Sequence, residues 1–92
     1  MDARLIAARR AAAVQARSKM RQAATKFEAA YDEAKAFEED KAADGLQGYQ
    51  IIAALVDNFD YEQAGRKYKS ARETARMWAL LAIAEETGLP PG

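Results

Sequence analysis

The residues best suited to chemistry lie at one place in the chain. Tyr61, Arg66, Lys67, Tyr68, Lys69, Ser70 and Arg72 bring four cations, a hydroxyl and two phenol rings within three helical turns. Cations grip phosphate or carboxylate oxygens, and aromatic faces stack on planar groups. If a helix starts near Tyr61, its free backbone N–H groups add donors for an anion. These types in this spacing point to a small anionic ligand with a flat ring system. The plainer alternative is a solvated basic face with Tyr68 packed as core.

A catalytic reading finds little support. The chain has no His and no Cys. That removes Ser-His-Asp and Cys-His arrangements, thiolate metal sites and disulfides. Gly45-Leu46-Gln47-Gly48 has neither the spacing nor the Lys of a phosphate loop. Glu38-Glu39-Asp40 with Asp44, and Glu85-Glu86, are acidic runs at expected helix ends, where solvation accounts for them. We therefore expect no enzyme, no catalytic residue, no bound metal and no cofactor.

The elements that position these residues are helices. Residues 3–43 contain no Gly and no Pro and are rich in Ala, Arg, Glu, Lys and Gln, the strong helix formers. One helix of about 40 residues, roughly 60 Å long, follows. Asp44-Gly45 ends it with a left-handed cap. A second helix is expected over 46–57, with Leu46, Tyr49, Ile52 and Leu55/Val56 on its packing face and Gly48 delaying its start. Asn58-Phe59-Asp60 reads as a turn, Asp60 as an N-cap and Gln63 as its capping-box partner. The third helix is expected over 61–87, capped by Gly88 and stopped by Pro90-Pro91. No period-2 alternation argues for a strand. The fold class is all-α, a single domain: a long N-terminal helix, a short second and a third, forming a coiled-coil-like hairpin or bundle.

Two surfaces suggest association. A chain of 92 residues buries only a modest core. Half of it is apolar, but much of that is Ala, which buries little area. The run Met77-Trp78-Ala79-Leu80-Leu81-Ala82-Ile83-Ala84 is apolar on every side of a helix, and such a helix seeks cover all round. The long helix also carries a heptad seam. With Ile6 at a, position a continues with Ala13, Met20, Phe27 and Ala34; position d reads Arg9, Ala16, Ala23, Ala30 and Phe37.

Charge is zero overall but unevenly placed. Residues 1–26 carry seven Lys/Arg and one acid, residues 27–44 seven acids and two Lys, residues 62–76 five Lys/Arg and two Glu. On the long helix this order opposes the helix dipole, so another element must offset it. An antiparallel copy of the helix, centred between Glu28 and Ala29, sets Met20 on Phe37, Ala23 on Ala34 and Phe27 on Ala30. It also pairs Lys26 with Glu33, Lys19 with Asp40 and Arg17 with Glu38. The candidate oligomer interface is thus Arg17, Met20, Lys26, Phe27, Glu33 and Phe37, with Met77, Trp78 and Leu81 as a second surface. The intramolecular alternative has helix three return along the same seam, its basic half beside the acidic end of helix one.

No apolar run approaches a membrane span, so no membrane partner is expected. The start carries scattered charges, unlike a secretory signal. It is Arg-rich and Ala-rich like an organelle transit peptide, but its periodicity continues into the acidic run as one structural helix. We expect a cytoplasmic protein. Duplex nucleic acid is not an expected partner, since binders of duplexes carry a positive excess that this chain lacks.

The segment Ser70-Ala-Arg-Glu-Thr-Ala-Arg-Met-Trp-Ala-Leu-Leu-Ala-Ile-Ala84 resembles the helical-hairpin domain of phage anti-CBASS and anti-Thoeris sponge proteins. The matching positions are Ser70, Glu73, Ala75, Met77, Trp78, Ala79, Ala82, Ile83 and Ala84, with a short apolar helix and a turn before them. Asp60-Tyr61 stands where that family has a Cys-Pro turn, Arg72 takes a Leu position, and the first helix here is longer. The resemblance implies a symmetric oligomer, in the host cytoplasm if phage-encoded, that sequesters a cyclic oligonucleotide immune signal without degrading it. The alternative is a protein–protein adaptor or inhibitor that uses the long helix as its binding face and takes no small ligand.

Overall fold

A computed structural model describes residues 2–89. The described residues form α1 (Ala3–Ala43), α2 (Tyr49–Leu55) and α3 (Phe59–Thr87), with no strand among them. α1 and α3 run antiparallel as a hairpin measuring 63 × 21 × 15 Å, and α2 closes its tip. No helix among the described residues is long and apolar enough to cross a membrane.

The caps explain the element bounds. The Asp2 carboxylate accepts from the Arg4 N–H at 3.0 Å and starts α1. At the other end Leu46 N–H donates to the Lys41 carbonyl and Gly45 N–H to the Ala42 carbonyl. This double closure is a Schellman motif, and it requires the left-handed φ of +90° that Gly45 adopts.

The expected second helix, 46–57, is shorter at both ends. Leu46 is held in the cap of α1, and Gly48 takes a positive φ of 51°, so α2 begins at Tyr49. Its packing face also differs. Leu55 is 2% exposed, while Tyr49, Ile52 and Val56 face outward. The turn rotates α2 so that the half-buried Ile51 and the buried Leu55 cover the tip.

The expected start of α3 shifts as well. Asn58, not Asp60, is the N-cap: its side-chain oxygen accepts from Tyr61 N–H at 3.0 Å. Asp60 and Glu62 then occupy the first turn, where their charges suit the dipole. Gly88 ends α3 at φ −80°, without a left-handed cap. Pro90 and Pro91 lie outside the described residues.

The heptad seam is closed from within the chain. Ala13, Ala16, Ala23 and Ala30 of α1 are buried with Ala64 and Ala82 of α3. Met20, Phe27, Ala34 and Phe37 are half-buried in the same line. Alanine lets two helix axes approach to about 8 Å, the near limit for packed helices. Aromatic side chains then stack along the join: Phe27 and Tyr68 centroids are 4.7 Å apart, and Phe37 meets Tyr61 edge-on at 6.1 Å.

Two charges of the long helix find partners within the chain: Glu33 lies 3.7 Å from Lys67 and Arg17 pairs with Glu86. The physical reason is length: α3 is long enough to run beside most of α1. Pairing two copies through a and d would require α3 to lift off.

Two changes probe this fold. Gly45→Ala should lower unfolding free energy by about 1 kcal/mol in urea titration, because Ala resists positive φ. Ala16→Leu should cost about 1–3 kcal/mol by forcing the helices apart, whereas Ser18→Leu on the exposed side should leave stability within about 0.5 kcal/mol.

Candidate functional site

The hairpin has two flanks, each a groove between α1 and α3. One is basic. Lys19, Gln22, Lys26 and Glu33 of α1 face Lys67, Ser70, Thr74 and Trp78 of α3, with Arg66 at the rim, around an open groove of about 880 Å³. These residues recur at three- and four-residue steps, so each set forms one stripe along its helix. Four cations and one carboxylate line the groove. Lys67 lies 3.7 Å from Glu33, and Arg66 donates to Glu62 at 2.7 Å. Lys19 and Lys26 make no ion pair among the described residues.

The other flank is aromatic. Tyr31, Tyr61 and Tyr68 surround a hollow of about 300 Å³ with Lys35 and Glu38. The Tyr61 hydroxyl donates to the Glu38 carboxylate at 2.7 Å. That hydrogen bond is the main reason the phenol pKa is raised, with burial and the carboxylate charge adding to it. Tyr68 lies between Phe27 and Tyr31, and the Arg72 guanidinium is 6.0 Å from its ring centre.

The seven residues expected to form one ligand site are therefore divided. Arg66, Lys67 and Ser70 line the basic groove. Tyr61, Tyr68 and Arg72 belong to the opposite flank. Lys69 is exposed and lines neither groove. The cause is helical pitch: Lys67 and Tyr68, adjacent in sequence, point about 100° apart. The two tyrosines pack against α1 and are not presented for stacking in the basic groove.

Sequence reading missed Lys19, Gln22 and Thr74 as groove residues, and assigned Lys26 and Trp78 to an oligomer interface. The signal was present. An antiparallel return after Gly45 places Lys19 beside Trp78 and Lys26 beside Ser70–Ala71, but only once α3 is taken as the partner of α1.

At the open end Arg17 holds Glu86 by two hydrogen bonds, one from Nη2 to Oε2 at 2.7 Å. Arg9 lies 3.5 Å from Glu85, and its guanidinium crosses the space beside Gly88 that a side chain would fill. The hydrogen bonds from Arg17 hold the Glu86 carboxyl below its ordinary range, and the neighbouring positive charge assists. No group of three or more metal-ligating side chains occurs among the described residues.

Comparison with protein-family models, curated proteins and solved structures returns no match.

Two titrations test these contacts. Glu86 has a lowered folded pKa, so its contribution is present above the ordinary carboxylate range and is lost as pH falls through the folded value. Wild type should lose more melting temperature on acidification than Glu86→Gln. Tyr61 has a raised folded pKa, so its contribution is present below about pH 10 and lost above it. Tyr61→Phe should cost about 1 kcal/mol at neutral pH and flatten the alkaline fall of the melting curve.

Proposed function

We propose that this chain is an interaction protein that works as an assembly of helical hairpins and acts by binding rather than by catalysis. One observation carries the reading: its alanines are inside and its large apolar side chains are outside. Burying an Ala methyl yields about 0.8 kcal/mol, against about 1.5–3 for a Leu, Ile or Met. Yet Ala64 is fully buried while Met77 is 68% exposed, and Leu80, Leu81 and Ile83 are exposed with it. At the tip Tyr49, 92% exposed, is joined by Ile52, Val56 and Phe59, all exposed. Contiguous apolar surface of this kind marks protein interaction sites. A symmetric homo-oligomer in the cytoplasm is the simplest form of the reading, and a heterologous protein partner is the other form.

A second reading is favoured by the basic groove. Lys19, Lys26, Arg66 and Lys67, with the hydroxyls of Ser70 and Thr74 and the Trp78 indole, offer cations, donors and one aromatic edge within a volume suited to a nucleotide. In that reading the assembly sequesters an anionic cyclic nucleotide immune signal, as the resemblance to sponge proteins implies. The packing of Tyr61 and Tyr68 leaves Trp78 as the stacking candidate.

Sedimentation at micromolar protein tests the first reading. A mass above that of one chain is expected, and Met77→Glu with Leu81→Glu should shift it downward without loss of helical circular dichroism. A single-chain mass with no dependence on concentration would reject self-association.

Thermal shift with a panel of cyclic di- and trinucleotides tests the second. Ligand at one hundred times Kd adds about 2.7 kcal/mol of stability, and Lys19→Ala with Lys26→Ala should abolish the gain. No shift across the panel leaves the first reading alone.

A further inference from the structure

The basic flank is also self-complementary. One column of α1, repeating every seven residues, reads Lys19, Lys26, Glu33, Asp40, and all four are exposed. Its signs reverse about the Ala29–Ala30 step. We propose that this flank is a two-fold interface on which a second copy of the chain docks antiparallel, its axis passing through that step. The inference rests on the association reading above and specifies its surface and register.

Three features on the flank agree on this arrangement. The first is charge. A two-fold axis at Ala29–Ala30 brings Lys19 to Asp40 of the second copy and Lys26 to Glu33. A parallel copy would set each charge against its own kind. Lys19 and Lys26, which have no ion-pair partner within the chain among the described residues, gain one each. Glu33 keeps Lys67 on its other side.

The second is shape. The neighbouring column of α1 is Gln15, Gln22, Ala29 and Ala36, all exposed. Small side chains at and below the axis let two α1 helices approach, as alanines already do between α1 and α3.

The third is the apolar ends. Met77 and Leu81 continue the α3 stripe of Ser70 and Thr74, at the height of Lys19 and beyond. At the opposite end of the flank Ala36, Phe37 and Phe59 line a hollow of about 590 Å³. The same axis carries Met77 of each copy to the Phe37–Phe59 end of that hollow on the other, with Leu81 about one turn beyond. Register by charge and register by apolar fit are independent, and they agree to within about one helical turn.

The area is sufficient. Overlap about this axis covers 28 residues of α1, 16–43, or ~42 Å, on a face 21 Å wide. That is on the order of 900 Å² per copy, comparable with the ~800 Å² per partner of a standard stable interface. The product is a four-helix bundle that covers the basic groove. In the dimer the partner's carboxylates supply the anion that the groove's lysines would otherwise take from a ligand.

The experiment uses two charge-swapped chains. Lys19→Glu with Lys26→Glu makes the column wholly acidic, and Glu33→Lys with Asp40→Lys makes it wholly basic. In sedimentation at low salt, wild type should run at twice the chain mass. Each variant alone should associate at least tenfold more weakly, and an equimolar mixture should recover the dimer.

A wild-type monomer would sink both this proposal and the association reading. A wild-type dimer whose swapped chains still self-associate, or whose mixture stays monomeric, would overturn this register and leave association standing. Should a swapped chain lose its helical circular dichroism, Ala29→Cys decides. The chain has no native Cys, so oxidation should link Ala29→Cys copies across the axis while Ser18→Cys, which this register sets ~34 Å along the helix from its own copy, stays unlinked. No link through position 29 would overturn the proposal.

Discussion

Close contact between two alanine-lined helix faces is the constraint on which this molecule depends. Ala13, Ala16, Ala23 and Ala30 on α1 and Ala64 and Ala82 on α3 remove side-chain bulk from the join. The helices therefore approach until the half-buried rings on either side, Phe27, Tyr68, Phe37 and Tyr61, close over the seam. A leucine-rich seam would hold more hydrophobic free energy and keep the helices farther apart. The grooves along both flanks would then be shallower and their side chains splayed.

That choice of residue moves the large apolar groups outward. With the seam given to alanine, Met77, Leu80, Leu81 and Ile83 have no place inside a single hairpin, and neither have Tyr49, Val56 and Phe59 at the tip. The same geometry separates the two chemistries of α3. Cations and hydroxyls line one groove, and tyrosines fill the other. A hydrogen bond from Tyr61 to Glu38 fixes the aromatic flank, whereas the basic flank is left with Lys19 and Lys26 in solvent. One flank is finished within the chain and the other offers itself to something else.

Local signals in the sequence were strong and tertiary ones weak. α1 was legible to the residue, because Asp2 and Gly45 bracket an uninterrupted run of helix formers. The heptad seam was legible as well, down to which alanines are inside. What the seam packs against was not, since α3 and a second α1 present similar charge complements, and a single sequence does not rank them. Short elements fared worse. Two glycines with positive φ trimmed α2, whose expected inner face keeps Leu46 and Leu55 inward while Tyr49, Ile52 and Val56 face out, and Asn58 outcompeted Asp60 as a cap because it stands directly after the turn at Asp57. The expected ligand cluster is divided for one reason: nearness along a helix is not nearness in space, and Lys67 and Tyr68 serve opposite flanks.

The hairpin's topology also shapes how it folds. The Tyr61–Glu38 contact spans 23 residues of chain, and the Arg17–Glu86 contact spans 69. Closing the longer loop costs only about 1 kcal/mol more in chain entropy, because that cost grows with the logarithm of length. Once the tip has formed, each further turn of α3 adds its contacts to α1 against a nearly flat entropic slope. The join can close from tip to termini like a zip, with the Arg17–Glu86 clasp fastening last.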